Sequence, residues 1–283
     1  MSARSRIGIS GWRYASWRGD FYPTGLVHRR ELEYAAERFD SVEINGTFYS
    51  LQRPSSFEQW AEQTPSGFVF GVKGGRYLTH MLRMRNVEAA LGNFFGSGVL
   101  ALGDRLGPVV WQLPARAVFE PEVLDGFLGR LPRTTGAASD LALRHDAKLK
   151  HDPVLAMDPG IPIRHALEVR NAGFAEPGSL DILRRHGVAL VRSDGAGQWP
   201  LLRHDTADFA YVRLHGADEL YASGYTDAQS EAWADEVAGL VTGVGDGVER
   251  DVYVYFDNDA RGRAPWDAEA LQARLAARGV GDG

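Results

Sequence analysis

Apolar and polar positions alternate in a series of short stretches whose two faces disagree in kind. In residues 41–49, Val42 and Ile44 fall on one face of an extended chain, and Glu43 and Asn45 fall on the other. Stretches 6–10, 68–73, 108–113, 165–170, 188–194, 209–215 and 251–257 are also extended in character, which with 41–49 makes eight expected strands. Between them apolar residues recur at helical spacing. Leu32, Ala35, Ala36 and Phe39 predict a helix over 28–39, and Phe57 and Trp60 predict a short one after Pro54. Further helices are expected over 81–106 (interrupted near 96–98), 123–131, 177–186 with Gly187 as its cap, and 266–278. Thr226-Asp227-Ala228-Gln229 reads as a capping box opening a helix with Trp233, Val237 and Leu240.

Strand–helix alternation implies parallel pairing, and eight repeats predict an α/β fold, a (β/α)8 TIM-type barrel forming one domain over 1–283. Residues 134–161, between strands four and five, form an irregular excursion with one short helix expected near 141–149. An open doubly wound sheet is the alternative, but Gly8-Ile9-Ser10-Gly11 does not fit the dinucleotide fingerprint.

The aliphatic set, Ile7, Ile9, Val42, Ile44, Leu167, Val169, Val212, Leu214, Val252 and Val254, should face the helices. The opposite set holds Ser10, Glu43, Asn45, Lys73, Gln112, Glu168, Arg170, Arg213, His215, Tyr255 and Asp257, with Arg192 and Asp194 near the rim. Barrel interiors usually hold branched aliphatics, and catalytic groups sit at strand C-terminal ends. Unpaired buried charges cost several kcal/mol each. An internally neutral ion network is permitted by the charge tally, Lys73, Arg170, Arg192 and Arg213 against Glu43, Glu168, Asp194 and Asp257. It leaves unexplained the glycine- and aromatic-rich loops, where Trp12, Tyr14, Trp17, Trp111, Trp199 and Trp266 fall at or just beyond strand ends.

Composition narrows the chemistry. With 283 residues, a net charge of −6 and no cysteine, the chain has no thiol nucleophile, disulfide or Cys-ligated metal, and its acidic balance disfavours non-specific nucleic-acid binding. No apolar run reaches membrane-spanning length and no leader is evident, so a cytoplasmic protein with no membrane partner is expected. Lysine occurs only at Lys73, Lys148 and Lys150, which singles out the internal Lys73.

Long motifs then show a likeness. Gly11-Trp12 with Trp17-Arg18-Gly19-Asp20-Phe21-Tyr22-Pro23, the run Phe39-Asp40 through Phe48-Tyr49, Trp111-Gln112-Leu113-Pro114, His165-Ala166-Leu167-Glu168-Val169-Arg170, Tyr211-Val212-Arg213-Leu214-His215-Gly216 and Tyr255-Phe256-Asp257-Asn258-Asp259 resemble the YecE-like family, domain of unknown function 72. The resemblance covers nearly the whole chain except 134–161, where the family's shorter members differ most. It implies a TIM-type barrel and no established reaction.

Three functions compete. The first is an acid–base enzyme, a hydrolase, lyase or isomerase, on a small anionic, phosphorylated or sugar-like substrate. Its catalytic candidates are Glu43, Glu168, His215 and Asp257. Asn45, Lys73, Gln112, Arg170, Arg213, Trp12, Tyr255 and Asn258 would bind substrate, with Lys73, Arg170 and Arg213 as the anion clamp. No cofactor is expected. The second is a metal-dependent phosphodiesterase or isomerase resembling endonuclease IV or xylose isomerase, with a single Mg²⁺ or Mn²⁺ on Glu43, Glu168, His215 and Asp257. The third is a non-catalytic module for a nucleotide or single-stranded nucleic acid, its tryptophans serving as stacking platforms.

Overall fold

Parallel strands followed by helices run through the described residues, 3–280, of the computed structural model. The strands are β1 (Ser5–Ser10), β2 (Ser41–Ile44), β3 (Val69–Lys73), β4 (Leu106–Gln112), β5 (His165–Glu168), β6 (Val188–Leu190), β7 (Arg192–Asp194), β8 (Phe209–Leu214) and β9 (Asp251–Phe256). The α-helices are α1 (Glu31–Ala36), α2 (Gly46–Tyr49), α3 (Pro54–Glu62), α4 (Glu88–Gly96), α5 (Pro121–Leu128), α6 (Thr135–Ala142), α7 (Pro177–Arg185), α8 (Asp227–Thr242) and α9 (Ala264–Ala277). This element order with parallel pairing is that of an α/β (β/α)8 TIM-type barrel.

The chain divides into two compact units, one holding the described residues up to Glu43 and from Ala189 onward, the other Ile44–Val188. In the first, the parallel order is β2-β1-β9-β8-β7, with Ile9 opposite Val42 and Arg213 opposite Tyr255. In the second, β3, β4 and β5 pair in parallel, with Gln112 opposite Glu168. The ten aliphatic residues assigned to the helix-facing side are buried, Ile9, Val42, Leu167, Val212, Leu214, Val252 and Val254 completely.

One close approach fixes the first unit. A Cβ on Gly8 would lie 1.9 Å from the Ser41 carbonyl oxygen, so β1 and β2 meet backbone to backbone. Gly8→Ala must push the strands apart and should cost about 1–3 kcal/mol, as overpacking does. A denaturant midpoint equal to wild type would contradict this contact.

Several boundaries differ from expectation. The strand beginning at Ser41 ends at Ile44, because Asn45 is already helical (φ −89°, ψ −24°) and opens α2. Thr47 Oγ1 secures that turn by donating to the Ile44 and Lys73 carbonyls at 3.0 and 2.6 Å. Glu43 and Asn45 therefore do not share one strand face. The sixth expected strand is two, β6 and β7, interrupted at Val191. The helix expected over 28–39 is a 3-10 turn, His28–Arg30, followed by α1. The one expected over 81–106 is a π-turn at Tyr77–Met81, then α4, then a 3-10 stretch, Val99–Arg105, kinked at Gly103. In the excursion the helix is α6, earlier than expected, because Thr134 caps it by accepting from the Ala137 amide. The box at Thr226 and Gln229 is formed as expected.

Candidate functional site

In the first unit the inward positions of β1, β2, β8 and β9 build a polar cluster in layers. Lowest are Tyr211 and Tyr255, fully buried, ring centroids 5.2 Å apart. Tyr255 OH lies 2.6 Å from Ser41 Oγ, and Tyr211 OH donates to Glu43 Oε2 at 2.6 Å. Burial pushes both phenols well above their ordinary range, so both remain neutral.

Above them lies a completely buried Arg213–Glu43 pair. Arg213 Nε donates to Oε2 at 3.1 Å and Nη2 to Oε1 at 2.7 Å, a two-pronged grip. Ser10 Oγ also donates to Glu43 Oε1. Each Glu43 oxygen thus accepts two hydrogen bonds, so its acceptor positions are engaged within the cluster.

The top layer is Asp257 and His215. Asp257 Oδ2 accepts from Arg213 Nη2 at 2.8 Å and lies 3.0 Å from His215 Nδ1. Arg213 Nη1 is 3.4 Å from His215 Nε2, and because arginine only donates, Nε2 is the acceptor in that contact. The His215 ring is framed edge-on by Trp199 and Tyr221, centroids 5.4 Å away in each case. Both rings sit on loops that adopt the left-handed backbone at a non-glycine residue, Ala196 (φ 50°) and Tyr221 (φ 63°). Such backbone costs on the order of 1–3 kcal/mol per residue and gathers at functional sites. Gly195 is obligatory here, since a Cβ would sit 2.1 Å from the Trp199 ring.

Two carboxyls complete the cluster. Burial, then the nearby Asp257 charge, raises Asp259 to about 6, partly offset by its own backbone amide and then by the Tyr14 hydroxyl. The single Tyr14 hydroxyl proton goes to the Ser10 carbonyl at 2.7 Å. Burial raises Asp194 as well, against hydrogen bonds from the Ala196 amide and Tyr225. Asp259 was absent from the sequence-derived site. Its only signal there was Asp-Asn-Asp after a strand, a spacing that aims two carboxyls the same way along an extended chain.

The remaining candidates in this unit have other partners. Asn258 is buried and its Nδ2 donates to Ser223 O at 2.9 Å and Asp267 Oδ2 at 2.7 Å, fastening β9 to the start of α9. Trp12 is buried, its carbonyl accepting from Tyr22 OH. Arg192 points to neither Asp194 nor Asp257. It pairs with Asp205 at 2.6 Å and Glu236 of α8 at 2.7 Å.

The second unit holds a cationic group at the ends of β3, β4 and β5. Lys73 Nζ lies 4.5 Å from the Phe48 ring centroid, and His80 meets the same ring edge-on at 5.3 Å. Arg170 donates through Nε and Nη2 to Glu168 Oε1 at 3.2 and 3.1 Å. Burial, then the charges of Arg76, Lys73, Arg170 and Arg116, lowers the His80 pKa. Gln112, buried, lies beside Glu168 in register. Trp111 is no mouth residue: it lies opposite Leu167, on the helix-facing phase, packed by Phe94, Phe127 and His165. Trp17 is likewise core, wedged among Tyr14, Phe21 and Tyr22.

Among the described residues no group of three or more His, Asp or Glu side chains is arranged to hold a metal ion. Where Glu43, His215 and Asp257 converge, the Arg213 guanidinium occupies the position a cation would take.

The model of the family described as "Protein of unknown function DUF72" matches residues 6–281. The chain belongs to the DUF72 family. It is 31% identical over 129 residues to UPF0759 protein YecE of Escherichia coli K12, 44% of this chain and 44% of that protein. To UPF0759 protein YunF of Bacillus subtilis 168 it is 32% identical over 76 residues, 26% of this chain and 25% of that protein. The matched stretches thus span less than half the length of these curated relatives. Among solved structures, a DUF72 protein of Thermotoga maritima MSB8 superposes with TM-score 0.76 at 23% identity, covering 96% of this chain and 99% of that one. A second, from Enterococcus faecalis V583, gives 0.71 at 16% identity, with coverages of 96% and 95%. These likenesses agree on the DUF72 fold. Among the described residues of this DUF72 chain, no helix is long and apolar enough to cross a membrane.

Proposed function

We propose that this DUF72 protein is an acid–base enzyme, a hydrolase, lyase or isomerase, acting on a small anionic, phosphorylated or sugar-like compound. The carboxyl pair Asp257 and Asp259 beside His215 carries the reading. A group titrating near 6 exchanges its proton readily at neutral pH, which is what general acid–base catalysis asks of it. Asp259 takes that role, and Asp257, anchored by Arg213, orients the His215 ring. Glu43, with both oxygens doubly engaged, is a positioning residue that fixes Arg213. The second unit, by itself, holds four cationic side chains that act on His80, a field suited to an anion.

The test is incubation with a metabolite extract, following by mass spectrometry which compounds disappear and which appear. Conversion of a phosphorylated, carboxylated or sugar-like compound by wild type but not by Asp259→Asn is expected. An unchanged extract, or equal conversion by the variant, overturns the reading.

A further inference from the structure

The excursion opposite α3 and α4 walls a pair of adjoining cavities within the second unit. The first, about 240 Å³, is lined mainly by rings and aliphatic groups, among them Phe48, Tyr49, Leu51, Tyr77, Leu78 and Phe94. The second, about 610 Å³, combines apolar surface from Leu51, Pro54 and Leu149 with the polar groups of Arg53, Lys148, Lys150 and His151, and Glu58 is the one carboxylate among its described lining residues. Leu51 and Lys148 line both cavities, so the two adjoin at those residues.

The walls are held in place. A Cβ on Gly92 would come within 2.7 Å of the Leu141 carbonyl oxygen, so α4 and α6 meet at backbone distance. Asn93 and Asp146 exchange hydrogen bonds of 2.9 and 3.0 Å, and Asp146 Oδ1 also accepts the Lys148 amide at 2.8 Å. That clip presents Lys148 at the junction, its Nζ 2.8 Å from Tyr77 OH, 4.4 Å from the Tyr77 ring centroid and 3.8 Å from Asp146. Lys150 Nζ donates to the Ala147 carbonyl at 2.6 Å. Meanwhile Tyr49 is 71% exposed and Leu51 40%, large apolar surface left to solvent at the edge of a cavity.

We propose that this is a binding site for a small molecule with a planar ring and a phosphate group. The ring enters the aromatic cavity, where flat side chains give contact area at low entropic cost, and Lys148 marks the boundary at which the anion begins. Lys148, Lys150, Arg53 and His151 supply donors for the phosphate, with cations outnumbering the single lining carboxylate. The site uses none of Asp257, Asp259 or His215, and so does not rest on the proposed acid–base function.

Phenyl phosphate is the probe, titrated calorimetrically into the full chain, with inorganic phosphate and benzyl alcohol as anion-only and ring-only controls. Saturable binding of phenyl phosphate is expected, at least tenfold tighter than either control, and weakened at least tenfold by Lys148→Met with Lys150→Met. These lysines lie at the surface, and an unchanged melting temperature confirms that the double variant is folded. A second variant, Tyr49→Ala, removes an exposed ring that lines only the aromatic cavity and should weaken phenyl phosphate without affecting phosphate. No saturable binding, equal affinity for phosphate alone, or binding indifferent to both variants overturns the proposal.

Discussion

Asp259→Asn is expected to slow turnover by about 10²–10⁴-fold, the range for removing a general acid or base, while leaving the chain more stable at neutral pH. The two effects have one origin. Burial and the Asp257 charge raise the Asp259 carboxyl from 3.8 to about 6, so the folded state holds this proton more tightly than the unfolded chain does. Stability from this group is therefore greatest below its unfolded value near 4 and declines as pH rises through about 6. Asparagine never ionises, so it removes that decline. Two pKa units correspond to about 3 kcal/mol, and partial solvent exposure reduces the expected gain at pH 7 to about 1–2 kcal/mol. Asp194 and Asp267, also raised by burial, contribute with the same sign, so the informative quantity is wild type minus variant across pH 4 to 7. Denaturant melts at several pH values measure it. A difference that does not change with pH would mean that Asp259 carries no raised pKa.

Arg213→Met carries the largest expected loss of stability, about 3–5 kcal/mol, because it strands a buried Glu43 carboxylate. For a chain of this size that lowers Tm by roughly 10 °C. Ser10 and Tyr211 still donate to Glu43, which keeps the loss from being larger. The partner experiment is Glu43→Leu combined with Arg213→Met. Removing both charges should recover part of the loss, so the double variant is less destabilised than the sum of the singles. Strict additivity would show that the pair does not interact as described.

How much of this could be seen in the chain itself depends on how far each property is local. Ser10, Glu43, Arg213, His215 and Asp257 were assigned to one lining because successive strand side chains alternate, and that alternation needs no partner to operate. The cluster then assembles them. The same rule, applied to phase, would have set Trp111 beside Leu167 instead of at the mouth. Asn45 escaped because an Asn-Gly step can end a strand, and the deciding bond, Thr47 to the Lys73 carbonyl, comes from a distant segment. Arg192 was placed only near the rim with Asp194, and its partners were not legible for a similar reason: Asp205 lies in a loop and Glu236 on α8, which only the folded chain brings near. Asp259 is the clearest case. Its residue type is unremarked in sequence, and its distinction is an environment of burial and a second carboxyl.

The scarcity of lysine acquires a practical meaning once the fold is known. Of the three, Lys73 is only 8% exposed, whereas Lys148 and Lys150 stand on the excursion two residues apart. To an amine-reactive dye or a lysine-directed protease, the side chains of the folded protein therefore offer essentially one address. Labelling at that address, read by peptide mapping, becomes an occupancy gauge for the adjoining cavities, with Lys73 as an internal monitor of unfolding.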